Sequence, residues 1–183
     1  AHQGLAERIR LILEYVGLKY NDNLITDRDE WFNKIKPSAA LINPFINLPY
    51  LKDGETIVAE SEAILVYVIL KAGREDLLGR TNEQKVDIAQ VRGVFGDFTK
   101  TTSILFMETI KMEEKALKTA KTYLGKLSTF LGNKNYTCGE ITFVDFILAE
   151  FFDILGMMDK TLLEGFPNLK ALTERIWGEE RIK

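Results

Sequence analysis

One hairpin signature is followed by nothing but helical periodicity, and that order constrains the fold more than any other feature of the chain. Leu48-Pro49-Tyr50-Leu51 leads into Lys52-Asp53-Gly54-Glu55, and Thr56-Ile57-Val58-Ala59 returns. Asp-Gly between two apolar runs marks a tight antiparallel turn. Ser61 then opens a very apolar helix to about Ala72, whose apolar residues nearly all round predict burial on several sides. Upstream, Leu5, Ile9, Ile12, Leu13 and Val16 recur at helical spacing between Gly4 and Gly17, with Glu7, Arg8, Arg10 and Glu14 on the other side. Lys19 to Thr26 reads as a weak strand, and Asp29 to Lys36 as a short helix ending before Pro37.

Beyond Gly73–Gly79, which reads as a linker, no strand pattern recurs. Asn82 to about Met112, Glu114 to Leu131, Phe143 to Leu155 and Leu169 to Trp177 all carry helical patterns. The predicted organisation is a small α/β unit over residues 1–72, a linker at 73–80 and an all-helical unit over 81–183.

Composition narrows the chemistry. The chain has 183 residues, 46% apolar and 28% charged, which is globular rather than disordered. Its net charge is −3, so no field draws in nucleic acid or anionic lipid. One cysteine, Cys138, rules out an internal disulfide and a Cys-cluster zinc site, and is best read as a small buried hydrophobe. The one histidine, His2, lies at the extreme start and leaves metal and triad chemistry little to work with. No metal is expected. Apolar runs are too short for a membrane span, and no signal peptide is visible. A soluble protein of a reducing compartment, the cytoplasm, is expected.

The best-defined local motif is Ile141-Thr142-Phe143-Val144-Asp145-Phe146. Thr142 suits an N-cap, Asp145 can reach back to its N–H, and Ile141 and Phe146 occupy the staple positions. The motif is read as structural.

Four stretches together resemble the cytosolic glutathione S-transferase family, mu-like and sigma-like members above all. They are Gly4-Leu5-Ala6-Glu7-Arg8-Ile9-Arg10-Leu11, then Asn47-Leu48-Pro49-Tyr50-Leu51 with Asp53-Gly54 and Glu60-Ser61-Glu62-Ala63-Ile64, then the Thr142–Asp145 box, then Gly165-Phe166-Pro167-Asn168-Leu169. Order and spacing match from about Gly4 to Trp177. The resemblance implies an α/β thioredoxin-like N-terminal domain plus an all-α C-terminal domain, and glutathione as co-substrate without a metal.

It also implies a site. Leu48 and a cis Pro49, following Asn47, would offer a strand edge to the cysteinyl unit of glutathione, against an ordinary trans proline that starts a strand. Ser61, with the N–H groups of its helix, would hold the γ-glutamyl carboxylate, and Glu60 the ammonium. Ser61 as a plain N-cap stays open. Trp31, Lys34 and Lys36 are candidates for the glycyl carboxylate, against solvated surface lysines. Asp97 matches an aspartate that reaches across the family's dimer interface, or is a helix-surface carboxylate. Phe45 matches an aromatic that plugs a pocket of the partner in a homodimer, or packs locally. Phe98, Phe106 and Met107 are candidates for a hydrophobic substrate's face, or core.

The family's thiol-activating Tyr or Ser ends a first strand that has no counterpart in Ala1-His2-Gln3, so the catalytic hydroxyl and that strand are expected upstream of Ala1, or a partner chain fills the gap. Tyr15, Tyr20 and Tyr50 have no claim to the role. The leading expectation is conjugation of reduced glutathione to hydrophobic electrophiles. The alternative is a non-catalytic structural or interaction subunit of a larger assembly. An isomerase or peroxidase using the same site is not separable by sequence. A dithiol oxidoreductase is disfavoured because no Cys-x-x-Cys is present.

Overall fold

The computed structural model describes residues 4–106 and 114–182, with side chains described outside 102–106 and 114–116. The chain divides into two units, Ala1–Arg74 and Glu75–Lys183.

In the first unit, helix α1 (Glu7–Val16) buries Ile9, Leu11, Ile12 and Leu13. It stops at Gly17, whose φ of 74° lets its N–H meet Glu14 O at 3.0 Å while Leu18 N–H returns to Leu13 O at 3.1 Å. Such left-handed closure favours glycine. The strand expected over Lys19 to Thr26 does not form. The segment runs without regular pairing, and its side chains are tied to α1 instead. Asp22 accepts from Arg10 at 2.8 Å, and the Tyr20 hydroxyl donates to Glu14 at 3.0 Å. Asn21-Asp22-Asn23 also carries little strand propensity.

The helix expected to end before Pro37 continues through it. Helix α2 (Arg28–Glu30) passes into a π-helical turn, Trp31–Ile35, and on into α3 (Lys36–Ala40). Asp27 starts the run by accepting from the N–H groups of Asp29 and Glu30 at 2.8 and 3.1 Å. In the π turn Lys36 N–H bonds Trp31 O. Pro37 then falls in the first turn of α3, where a missing N–H costs nothing. The widened turn thus absorbs the proline that a uniform α-helix would not.

Strands β1 (Tyr50–Asp53) and β2 (Thr56–Ala59) form an antiparallel pair with Tyr50 opposite Ala59 and Asp53 opposite Thr56. The loop is Gly54-Glu55, with Asp53 still paired, and Gly54 supplies a φ of 58° at its first position. Helix α4 (Ser61–Lys71) packs against both strands and α1, burying Ile64, Leu65, Val68 and Ile69. Its far end is clamped to the hairpin tip, where Asp53 accepts from the Tyr67 hydroxyl at 2.8 Å and from Lys71 Nζ.

The second unit opens with a 3₁₀ turn, Glu75–Leu78, in which Leu77 is fully buried. Helices α5 (Asn82–Phe106), α6 (Glu114–Leu131), α7 (Phe143–Met158) and α8 (Pro167–Trp177) follow. No strand occurs in this unit among the described residues, apart from an isolated Cys138–Glu140 bridge. The expected continuation of α5 to Met112 lies outside the described residues. Helix α7 is the axis of the unit, with buried residues all round it from Phe143 to Phe152. Phe98 of α5 stacks on Tyr123 of α6 at 5.1 Å and meets Phe151 of α7 edge-on at 4.9 Å. Each such ring pair adds about 0.5–1.5 kcal/mol beyond its buried area. Asn168 fixes α8 to α6 by donating to Ser128 O at 2.9 Å and accepting from the Ser128 hydroxyl at 2.8 Å.

Candidate functional site

The hairpin register gathers the first set of candidates. Leu48 lies two residues before β1 and Ser61 two residues after β2, so both flank the end of the hairpin away from its turn, where Tyr50 pairs with Ala59. The Leu48–Pro49 peptide bond is cis. Leu48 is exposed, and its main-chain N–H and C=O have no partner among the described residues. Asn47 beside it is exposed.

Glu60 and Ser61 stand at the start of α4. Glu60 holds φ 67° and ψ 120°, the one positive φ outside glycine among the described residues. A side chain in that conformation costs of order 1–3 kcal/mol and is held only where its surroundings impose it. Here β2 ends at Ala59, which is buried, and α4 begins at Ser61, so Glu60 makes the turn between them alone. Its carbonyl still accepts from Ile64 N–H at 3.0 Å, closing the first helical turn. Its exposed carboxylate caps nothing. Ser61 is therefore the first residue of the helix, not its N-cap, and the N-cap side chain makes no capping bond. An exposed carboxylate, a hydroxyl, an uncapped helix start and a free peptide group thus meet at one end of the hairpin. That set matches a ligand with both an ammonium and a carboxylate.

The other candidates are more dispersed. Trp31 is 4% exposed and packs with Ala39 and Ile46, its ring stacked on Tyr50 at 6.0 Å. Lys36 lies with Nζ 6.0 Å from the Trp31 ring centroid and 5.8 Å from that of Phe32. Lys34 is exposed, its carbonyl taken by the Ser38 hydroxyl at 2.8 Å. Phe45 is 74% exposed on the loop before Asn47, so local core packing does not account for it. Asp97 lies exposed on α5 in the second unit. Phe98 is fully buried in the aromatic cluster and is core. Met107 lies outside the described residues, as does the side chain of Phe106. A groove of about 1010 Å³ runs beside β1, walled by α1, residues 18–25 and α4.

Two features escaped the sequence reading. Asn43 clips the loop before Leu48 to β2, and the Asn43-Pro44 dipeptide signals a turn there but not the clip. The Tyr67–Asp53–Lys71 clamp had only the i, i+4 spacing of Tyr67 and Lys71 as a clue.

A search of family models matches residues 1–69 to the glutathione S-transferase N-terminal domain and residues 97–183 to the glutathione S-transferase C-terminal domain. Human glutathione S-transferase Mu 1 is 34% identical over 190 residues, spanning 98% of this chain and 84% of that protein. The class-mu 26 kDa isozyme 51 of Fasciola hepatica is 34% identical, spanning 99% of this chain and 83% of its own length. This chain belongs to the glutathione S-transferase family. Its fold agrees with solved structures. Prostaglandin synthase D of Nilaparvata lugens superposes with a TM-score of 0.81 at 25% identity, over 99% of this chain and 90% of that one. The glutathione S-transferase of Ascaris lumbricoides gives 0.79 at 26%, over 98% and 89%.

Among the described residues no group of His, Cys, Asp and Glu could hold a metal ion, and no helix is long and apolar enough to cross a membrane.

Proposed function

We propose that this transferase binds glutathione at the base of its hairpin and conjugates it to hydrophobic electrophiles. The observation that carries the reading is that Leu48, Glu60 and Ser61 flank the same end of the hairpin in a chain of this family. Leu48 pairs its free N–H and C=O with the cysteinyl unit of the tripeptide, as an added strand. The Ser61 hydroxyl and the first N–H groups of α4 hold the γ-glutamyl carboxylate, and Glu60 pairs with its ammonium. Lys34, Lys36 and the indole N–H of Trp31 face the glycyl carboxylate. Held in this way, the thiolate forms a carbon–sulfur bond to the electrophile, whose leaving group departs or whose new carbanion takes a proton. Binding both reactants makes the encounter unimolecular.

Phe45 is the dimer anchor, because a large ring exposed on a short tethered loop suits a pocket in a second copy. Asp97 completes the ammonium site in that homodimer. The cytoplasm is the proposed location. A glutathione-dependent isomerase is the second reading, favoured by the likeness to a solved prostaglandin synthase.

Calorimetric titration of glutathione tests the site, and turnover with an aryl halide tests the transfer. Micromolar to millimolar binding with conjugate formation is expected. A folded protein that binds no glutathione would overturn the reading in favour of a structural subunit. Phe45→Ala is expected to shift the sedimentation equilibrium toward monomer, and a profile identical to the parent would remove the anchor role.

A further inference from the structure

The segment between α3 and β1 carries two proposed functions within four residues, the dimer anchor at Phe45 and the ligand edge at Leu48. It has no regular secondary structure of its own. One side chain ties it to the sheet. The amide nitrogen of Asn43 donates to Ile57 O at 3.0 Å, fourteen residues away on β2. Its side-chain oxygen accepts from Phe45 N–H at 3.0 Å. Its main-chain N–H donates to Ala39 O at 2.9 Å, and its carbonyl accepts from Ile46 N–H at 3.1 Å. Asn43 is half-buried and uses both ends of its amide.

Each bond has a distinct consequence. The bond to Phe45 N–H closes a local side-chain turn that sets how Phe45 leaves the loop. The bond to Ile57 O lies on β2, a strand with no second strand neighbour among the described residues. It satisfies a sheet-edge carbonyl and blunts that edge. It also fixes the loop to the sheet on the side opposite β1. Between Ile46, which is buried beside Trp31 and Ala39, and Tyr50, which pairs with Ala59, the path to Leu48 is short and pinned at both ends.

We propose that Asn43 is a positioning residue that couples the two functions, orienting Phe45 through its oxygen and Leu48 through its grip on β2. Its ligand readout rests on the glutathione reading above, and its backbone readout does not. An asparagine suits the position because it donates and accepts at once. Aspartate keeps the acceptor for Phe45 N–H and loses the donor to Ile57 O.

Two measurements on Asn43→Ala and Asn43→Asp test this: amide hydrogen exchange over residues 44–51, and calorimetric titration of glutathione. In Asn43→Ala, exchange at Phe45 and Ile46 is expected to quicken at least tenfold while α7 amides keep the parent rate. The glutathione dissociation constant is expected to rise about five- to tenfold. Asn43→Asp is expected to retain protection at Phe45 and still lose affinity for glutathione. Unchanged loop exchange in Asn43→Ala overturns the proposal whatever the ligand does. A loosened loop with parental affinity overturns the coupling to Leu48. A parent that binds no glutathione overturns the functional reading instead, and faster exchange in the variant then still supports Asn43 as the residue that holds the loop.

Discussion

Two helix starts, at α7 in the second unit and at α4 in the first, present the same orphan N–H groups and treat them in opposite ways. At α7 the protein supplies its own anion. Asp145 is fully buried, and one of its oxygens takes Thr142 N–H at 2.8 Å and the Thr142 hydroxyl at 3.1 Å. The other takes Thr137 N–H at 2.8 Å and the Thr137 hydroxyl. Burial pushes the Asp145 carboxyl above the usual carboxylate range, and all four donors oppose that shift. At α4 the Glu60 side chain makes no capping bond, Glu60 turns at a positive φ, and the Ser61 hydroxyl and the Leu48 peptide groups have no partner among the described residues. A helix start closed by its own buried carboxylate is a folding device, whereas one without such a carboxylate beside a strand edge can receive a ligand's carboxylate.

The largest effect that sharpens this contrast is expected from Asp145→Ala. It leaves the N–H groups of Thr137 and Thr142 buried without acceptors, and each costs about 1–3 kcal/mol. A loss of roughly 3–5 kcal/mol in unfolding free energy follows. Glutathione affinity, measured where the variant is still folded, should equal that of the parent. A selective loss of affinity would break the contrast, since the capped end would then serve the ligand too.

Cys138 extends the same comparison to reactivity. It sits 6% exposed on the loop that feeds the capped end, where burial, and after it the charge of Asp145, push the thiol up to about 11. At pH 8 only about one thiol in a thousand is then ionised, and thiolate is the nucleophile. Because the folded value lies above the unfolded one, the neutral form costs nothing at pH 7. Stability falls as pH rises from the unfolded value, about 8.5, toward 11. Iodoacetamide at pH 8 is expected to modify the folded protein at least a hundredfold more slowly than the denatured one. Comparable rates in the two states would show that the loop opens freely.

Much of this division was legible in the residues. The hairpin, α4, the box at Thr142 and the all-helical second unit follow from short-range signals: Asp-Gly between apolar runs, a capping residue before an apolar run, apolar spacing at 3.6. What failed depended on partners distant in sequence or on local give in the backbone. Lys19 to Thr26 has the alternation of a poor strand, but its outcome was decided by Arg10 and Glu14 on α1, which claim Asp22 and Tyr20. Pro37 reads as a stop only if the preceding turn is a uniform α-helix, and the π turn at Trp31–Ile35 removes that premise. In the candidate site, the flanking of one hairpin end by Leu48 and Ser61 was implicit in the order of strand, turn and strand. The burial of Trp31 against Tyr50 and Ile46 was not, because it depends on how α2 and α3 lie on the sheet. Asn43 was invisible as a clip, since nothing near it in sequence reveals Ile57 as its acceptor.

The smallest effect, and the most discriminating, is expected at the open end. The Ser61 hydroxyl has no hydrogen-bond partner among the described residues, so Ser61→Ala removes no hydrogen bond seen there. It also sits at the first helical position rather than the N-cap, so the usual loss of about 1 kcal/mol for removing a cap does not apply. Alanine is, if anything, the better helix former there. Unfolding free energy should therefore stay within about 0.5 kcal/mol of the parent. Glutathione affinity should fall by about 1–3 kcal/mol, the worth of a hydrogen bond to a charged group. Asp145→Ala and Ser61→Ala then form a double dissociation, one costing stability without affinity and the other affinity without stability. If Ser61→Ala instead destabilises the fold and leaves affinity untouched, α4 has a cap after all, and the γ-glutamyl carboxylate must be held elsewhere.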